Sequence, residues 1–161
     1  MKKEIYKKDS KISGSGIYTK HLIKKGNFVC KITGKKFKWK YNELTDRELG
    51  ANWFGLGKDI WIDPEFPLSH INHSCDPNMG LKGKIMFYAL RDIAANEELL
   101  FDYSTSEEEI DWKMKCKCGS KKCRKYMTSI QLLPFKIYKD YLPYIPTYFQ
   151  KVYKRYNKLN D

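Results

Sequence analysis

The chain has 161 residues and a formal net charge of +12, from 31 basic and 19 acidic side chains. That length suits one domain with a real core, and no stretch approaches the roughly 18 apolar residues of a membrane-spanning helix. No apolar segment follows the charged Met1-Lys2-Lys3-Glu4, so no secretory signal is expected. Aromatics make up 15% of the chain and Tyr alone numbers 12, which suits a β-rich core with polar handles. Of the basic residues 27 are Lys and only four are Arg. Phosphate and base recognition leans on the planar Arg fork, so the charge reads chiefly as a solvated lysine surface, with nucleic acid a secondary partner. Five cysteines are odd in number and three crowd into positions 116–123, a pattern that favours a metal over disulfides in an intracellular chain.

In chain order, Ile5-Tyr6 and Ile12 are edge-strand positions in a basic leader. Gly14-Ser15-Gly16 permits tight turning and close backbone approach of a ligand. It precedes the strand-like Ile17-Tyr18-Thr19, which argues against a dinucleotide-type phosphate loop, since that loop opens a helix. A strand is expected over Phe28–Gly34, ending at the glycine, with Cys30 an inert buried thiol. Residues 35–40 interleave aromatics and lysines, as an exposed strand with one buried face would. Thr45-Asp46-Arg47-Glu48 has capping-box spacing, and Gly50 would stop a short helix there. Trp53–Leu56 and Asp59–Asp63 are expected to pair around Gly57-Lys58.

Ile71-Asn72-His73-Ser74-Cys75-Asp76-Pro77-Asn78 then packs amide, imidazole, thiol and carboxylate into one polar turn. A fully buried strand is expected over Ile85–Leu90. Asp92–Glu97 forms the loop that returns the chain to a strand over Glu98–Tyr103. Glu107-Glu108-Glu109-Ile110-Asp111 is an acidic run in a basic chain. It reads as a solvated loop, placed where it could meet a basic peptide adding as a strand. Cys116-Lys117-Cys118-Gly119-Ser120-Lys121-Lys122-Cys123 follows. Pro146–Tyr156 is expected to form an amphipathic helix with Tyr148, Phe149, Val152, Tyr153 and Tyr156 on one face. It would pack on the domain, with a dimer or partner contact as the alternative.

Four of these blocks, taken in order, resemble the SET domain of protein lysine methyltransferases that use S-adenosylmethionine. They are Gly14-Ser15-Gly16-Ile17 with Ile23-Lys24-Lys25-Gly26, then Asn72–Asn78, then Glu98–Tyr103, then the Cys-x-Cys-x4-Cys of a post-SET segment. The resemblance covers roughly residues 10–127. It implies a mostly β fold of several small sheets with a pseudoknot, short helices, a zinc-stapled post-SET segment and, beyond the resemblance, a C-terminal helix. The expected division is 1–110 SET domain, 111–128 post-SET segment and 129–161 helical tail.

The same resemblance implies roles. Tyr103 would be the catalytic residue, orienting the amine and stabilising the methyl in transit. Gly14, Ser15, Gly16, Ile17, Asn72, His73 and Tyr103 would hold S-adenosylmethionine. Phe101 and Tyr103 would line the lysine channel, and Phe101 occupies a Tyr-or-Phe switch position, where the missing hydroxyl leaves room for di- or trimethylation. Cys116, Cys118 and Cys123 supply three thiolates where structural zinc wants four ligands, and Cys75 would be the fourth. The implied activity is protein-lysine N-methylation of histone or histone-like tails, in a nuclear or chromatin setting if the source is eukaryotic. A SET-fold binding module without turnover, and a basic zinc-stapled nucleic-acid binder, are the alternatives. The chain departs from the family pattern at Ser69-His70 (often Arg-Phe), Asn96 (Gly) and Lys125 (Gly), and it lacks a cysteine-rich pre-SET region.

Overall fold

The computed structural model describes residues 4–40 and 52–158. The short helix expected at Thr45–Glu48, with its stop at Gly50, lies outside them. Twelve short strands build five small sheets among the described residues. β1 (Ile5–Asp9) and β2 (Ser15–Thr19) form an antiparallel hairpin. β3 (Phe28–Lys31), β8 (Met79–Lys82) and β9 (Met86–Ala89) form one three-stranded sheet, with β9 in the middle. β4 (Gly34–Lys38), β5 (Phe54–Gly57) and β6 (Ile60–Pro64) form a second, with β6 central.

Two strand expectations change in these sheets. The Phe28–Gly34 run breaks after Lys31, and Gly34 instead opens β4, where a Cβ would collide with the Asp63 carbonyl. Ile85–Leu90 is not buried throughout. Phe87 and Ala89 point into the core while Met86 is 39% exposed, the alternation of a sheet covered on one face only. Cys30 is buried as expected, and burial pushes its thiol up to about 12, so it is inert at neutral pH. On β4 the lysines face solvent while Phe37 packs edge-on against Trp53, and Trp39 against Trp53 and Trp61.

The centre of the molecule is a two-stranded parallel pair, β7 (Asn72–His73) with β10 (Leu100–Phe101). Of the expected Glu98–Tyr103 strand only Leu100–Phe101 pairs with β7, while Glu98 makes an isolated antiparallel bridge to Tyr18 and the Leu99 amide donates to the Ile17 carbonyl at 2.7 Å. Polar residues of the loop that follows β7 hold β10 in place. The Ser74 amide donates to the Phe101 carbonyl, the Asn78 amide to the Leu100 carbonyl, and the Leu100 amide to Asn78 Oδ1. Asn78, fully buried, also donates its side-chain amide to the Glu98 carbonyl at 2.6 Å. Buried polar groups this well satisfied fix a unique chain path, one that sets β10 parallel to β7. Ile17, Phe54, Phe87, Leu99 and Phe101 pack the apolar core around it.

After a single 3-10 turn at Tyr103–Ser106 the chain forms the hairpin β11 (Lys113–Lys115) and β12 (Tyr126–Thr128). Two helices follow, α1 (Phe135–Tyr141) and α2 (Thr147–Tyr156), each with a proline, Pro134 or Pro146, in the N-cap position. Pro at a helix start loses no needed hydrogen bond. α1 was not expected from the sequence; α2 was. Phe149 and Tyr153 face inward, but Tyr156 is 53% exposed, because the helix runs past the edge of the cluster it covers.

Candidate active site

Asn72 and His73 are consecutive on β7, so their side chains leave opposite faces of the pair. Asn72 turns to the glycine loop: its Nδ2 donates to the Ser15 carbonyl at 3.1 Å, the Ser13 carbonyl at 3.2 Å and Glu98 Oε1 at 2.8 Å. Glu98 is the hub of that half. Its Oε2 accepts from Ser10 Oγ at 3.0 Å and from the Tyr18 hydroxyl at 3.2 Å. A Cβ on Gly16 would collide with the Glu98 carboxylate, so any side chain there would displace Glu98 from its place beside Asn72. Gly14 sits at φ +47 with no atom near its missing Cβ, so the loop offers open backbone to a ligand. Ile17 is fully buried beneath the loop; it anchors the loop and presents no side chain to its outer face.

His73 turns inward. Its Nδ1 accepts from the Tyr103 amide at 3.2 Å, which places the ring proton on Nε2, 3.4 Å from Cys75 Sγ. Burial lowers its pKa to about 4, so the ring is neutral at pH 7. The nearby Asp102 carboxylate, 3.6 Å from Nδ1, is therefore not an ion-pair partner of His73. Asp102 pairs instead with Arg124, whose Nη2 donates to Asp102 Oδ1 at 2.8 Å and to Ser104 Oγ at 3.2 Å. The same carboxylate oxygen caps the 3-10 turn through the Ser104 amide.

Tyr103 opens that turn. Its hydroxyl donates to the Ile71 carbonyl at 2.6 Å, and its ring stands edge-on to His73 at 5.3 Å. Burial, then the charge of Glu98, pushes the phenol above its ordinary range, so it stays protonated. Phe101, two residues back, is 1% exposed and packs against Phe54 and Phe87 with ring centroids 5.7 and 5.2 Å away. The two residues expected to line a lysine channel are therefore neighbours, centroids 6.4 Å apart, with Phe101 in the core and Tyr103 partly exposed.

The sulfur atoms of Cys75, Cys116, Cys118 and Cys123 all lie within 4.8 Å of one another, and Cys75 and Cys116 are 3.7 Å apart. Zinc–sulfur bonds of about 2.3 Å in a tetrahedron put sulfurs roughly 3.8 Å apart, so the set fits a four-thiolate zinc. Amide donors already face the sulfurs: Arg124 to Cys75, Cys118 to Cys116 and Lys125 to Cys123, each at 3.4 Å. Such N–H···S bonds suit thiolates better than thiols. Cys30 takes no part. Trp112 and Tyr103 pack against the cluster, which brings the β11–β12 hairpin onto the Tyr103–Ser106 turn.

Glu98, Asp102, Arg124 and Trp112 carry the site without having been singled out from the sequence. Arg124 left a signal: one of four Arg among 27 Lys, it marks a place where a planar fork is used. Two family departures also find a reason. Asn96 and Lys125 stand where glycine is usual and take φ of +63 and +69. Asn tolerates that region well; Lys at 125 bears a local cost of about 1 kcal/mol. The acidic run divides. Glu107 is buried, Glu108 Oε2 accepts from the Tyr148 hydroxyl at 2.6 Å, and only Glu109 and Asp111 are left to face a partner.

The SET domain profile matches residues 14–104. The histone-lysine N-methyltransferase trr of Drosophila melanogaster is 30% identical over 138 residues, covering 76% of this chain and 6% of its own length. The H3 lysine-9 specific KMT1 of Fusarium mangiferae is 30% identical over 159 residues, covering 71% of this chain and 45% of its own. This chain thus spans less than half the length of either relative. Polycomb repressive complex 2 of Chaetomium thermophilum matches with a TM-score of 0.51 at 26% identity, over 62% of this chain and 15% of that one. KRYPTONITE, solved with mCHH DNA, an H3(1-15) peptide and SAH, reaches a TM-score of 0.61 at 21% identity, over 76% of this chain and 29% of that one, a likeness of fold. With the profile covering more than half of its length, the chain belongs to the SET domain family.

Proposed function

We propose that the protein is an S-adenosylmethionine-dependent protein-lysine N-methyltransferase acting on histone or histone-like basic tails in chromatin. The observation that carries this reading is the convergence on Tyr103. Its hydroxyl, committed as a donor to Ile71, lies between an open glycine loop braced by Asn72 and a four-thiol cluster. The curated relatives named as histone-lysine N-methyltransferases support the substrate class.

Bound at Gly14–Ile17, Asn72 and His73, S-adenosylmethionine supplies a methyl group on a sulfonium. Tyr103, as a neutral phenol, accepts a hydrogen bond from the substrate amine and fixes the direction of its lone pair. Held this way, the lysine nitrogen would be aimed at the methyl group that the donor would supply. A free lysine carries its proton up to about pH 10.4; the apolar surround of Phe101, Tyr103 and His73 favours the neutral amine. Alignment of this kind is worth on the order of 7–11 kcal/mol. Phe101, without a hydroxyl, leaves room for di- or trimethylation. Cys75, Cys116, Cys118 and Cys123 would hold zinc and fasten residues 111–128 over the domain of residues 1–110, with residues 129–161 as a helical tail.

The test is incubation with labelled S-adenosylmethionine, core histones and a mixed lysate. Labelled histone or another labelled protein is expected. A folded, zinc-loaded protein that binds the donor yet labels nothing overturns the enzyme reading in favour of a binding module. Salt-sensitive DNA or RNA affinity with no donor binding would mark a nucleic-acid binder instead.

A further inference from the structure

The tail lies beyond the region that carries the family resemblance, yet it touches both ends of the Tyr103–Ser106 turn. At the first end, Tyr141 of α1 lies against the Asp102–Arg124 pair. Its hydroxyl donates to the Cys75 carbonyl across a long 3.4 Å, and burial followed by the charge of Asp102 keeps it protonated. Asp102, Thr105, Tyr141 and Tyr144 line one narrow crevice. At the second end, the Ile130 amide donates to the Glu107 carbonyl at 2.8 Å, Gln131 to the Glu108 carbonyl at 2.8 Å, and Tyr148 to the Glu108 carboxylate.

Two glycines of the main domain are shaped to receive the tail. A Cβ on Gly80 of β8 would meet Tyr144 Cβ at 2.7 Å and its carbonyl at 2.9 Å. A Cβ on Gly55 of β5 would collide with the Ser106 carbonyl and meet Phe149 Cζ at 3.0 Å. Strand, catalytic turn and α2 therefore meet at one missing side chain. The tail also has its own apolar cluster, Ile130, Leu133, Tyr138, Ile145, Phe149 and Tyr153, with Tyr138 and Tyr153 stacked at 3.8 Å.

We propose that the tail is a brace that fixes the catalytic turn, and that Tyr141 and Tyr148 are positioning residues for methyl transfer. The inference rests on the functional reading above for its kinetic part alone. Without the brace the 3-10 turn keeps its Asp102 cap but loses packing at both ends, and Tyr103 drifts from its aligned position.

The test compares Gly80→Ala, which pushes the tail outward, with Tyr141→Phe and Tyr148→Phe, which each remove one hydroxyl. Ile62→Val, in the core of the second sheet, serves as a stability control. All are made in the full, zinc-loaded chain and measured well below their unfolding temperatures. Gly80→Ala is expected to raise amide exchange at Ser104 and Thr105 and to lower kcat about tenfold or more, since small misplacements cost that much. KM for peptide should change less than about twofold if chemistry alone is affected. The two Tyr→Phe variants should show smaller changes in the same direction, and Ile62→Val should lower Tm without moving either readout. Raised exchange in α1 and α2 with unchanged exchange at residues 104 and 105 overturns the brace. So does a kcat that falls only with the folded fraction. A wild-type protein that methylates nothing removes the functional reading, while the exchange comparison still decides the brace.

Discussion

Asn72 and His73 are neighbours in sequence, but they serve two halves of the site that are held by different physics. On the Asn72 side, the glycine loop is fastened by neutral hydrogen bonds and one carboxylate, Glu98, near the surface. On the His73 side, the turn and the hairpin are fastened by four thiols and the Asp102–Arg124 pair, with Asp102 1% and Arg124 14% exposed. The first half is formed by the chain's own hydrogen bonds. The second would depend on a metal, because four sulfurs packed this closely would repel as thiolates unless a cation sat among them. The difference predicts that damage to one half is felt as donor affinity and damage to the other as loss of the assembled site.

The largest effect should come from the thiol half. Cys116→Ser, or a strong chelator, should release zinc, melt residues 111–128 and abolish transfer, since structural zinc is worth about 10–16 kcal/mol in small sites. Metal analysis and exchange of the hairpin amides read this out. Retained activity in metal-free protein would break the comparison. Next is Glu98→Ala, which leaves Asn72, Ser10 and Tyr18 without their common acceptor. Donor affinity by calorimetry should fall about 10–100-fold, as for other residues that orient a ligand's own contacts, while zinc content stays at wild type.

A pH effect should follow from Glu107, whose pKa burial raises to about 7 from 4.5. A carboxyl raised on folding stabilises the fold while protonated. Its contribution is complete below about pH 4.5 and is lost as pH rises through about 7, a span on the order of 3 kcal/mol at most. Glu107→Gln should therefore flatten the decline of stability between those values and make the protein more stable than wild type at pH 8, as chemical denaturation would show. The smallest change in rate is expected from Phe101→Tyr, which should leave the first methyl transfer within a few fold and shift the product toward monomethyl-lysine. A wild-type enzyme that itself stops at monomethyl would contradict the Phe101 argument.

Much of the site could be read from the chain because it rests on short-range chemistry. Gly14-Ser15-Gly16, the polar turn after Ile71, and three cysteines in eight positions each carry a local signature. What the sequence hid is long-range. Glu98 and Asn72 are far apart in sequence, as are Arg124 and Asp102, and no periodicity reports such a pair. α1 escaped because Phe135–Tyr141 is short and its buried side chain, Tyr138, belongs to a cluster assembled from several tail elements. The acidic run misled for a related reason. Its charges suggested solvent or a basic peptide, whereas Glu107 is buried and Glu108 is spent on Tyr148. The continuous strand expected over Glu98–Tyr103 gave way where Asp102 caps a turn, a side-chain preference that overrode the apolar pattern before it.

The most direct test of the central claim is mass spectrometry of a methylated substrate, with wild type beside Tyr103→Phe and donor binding measured in parallel. The substitution removes one hydroxyl and leaves ring, turn and thiol cluster in place. The account predicts that the variant binds S-adenosylmethionine and zinc as wild type does but transfers methyl at least about a hundredfold more slowly, within the range for loss of one aligned group. Equal transfer by the two proteins would contradict the assignment of Tyr103, and with it the site at which the two halves meet.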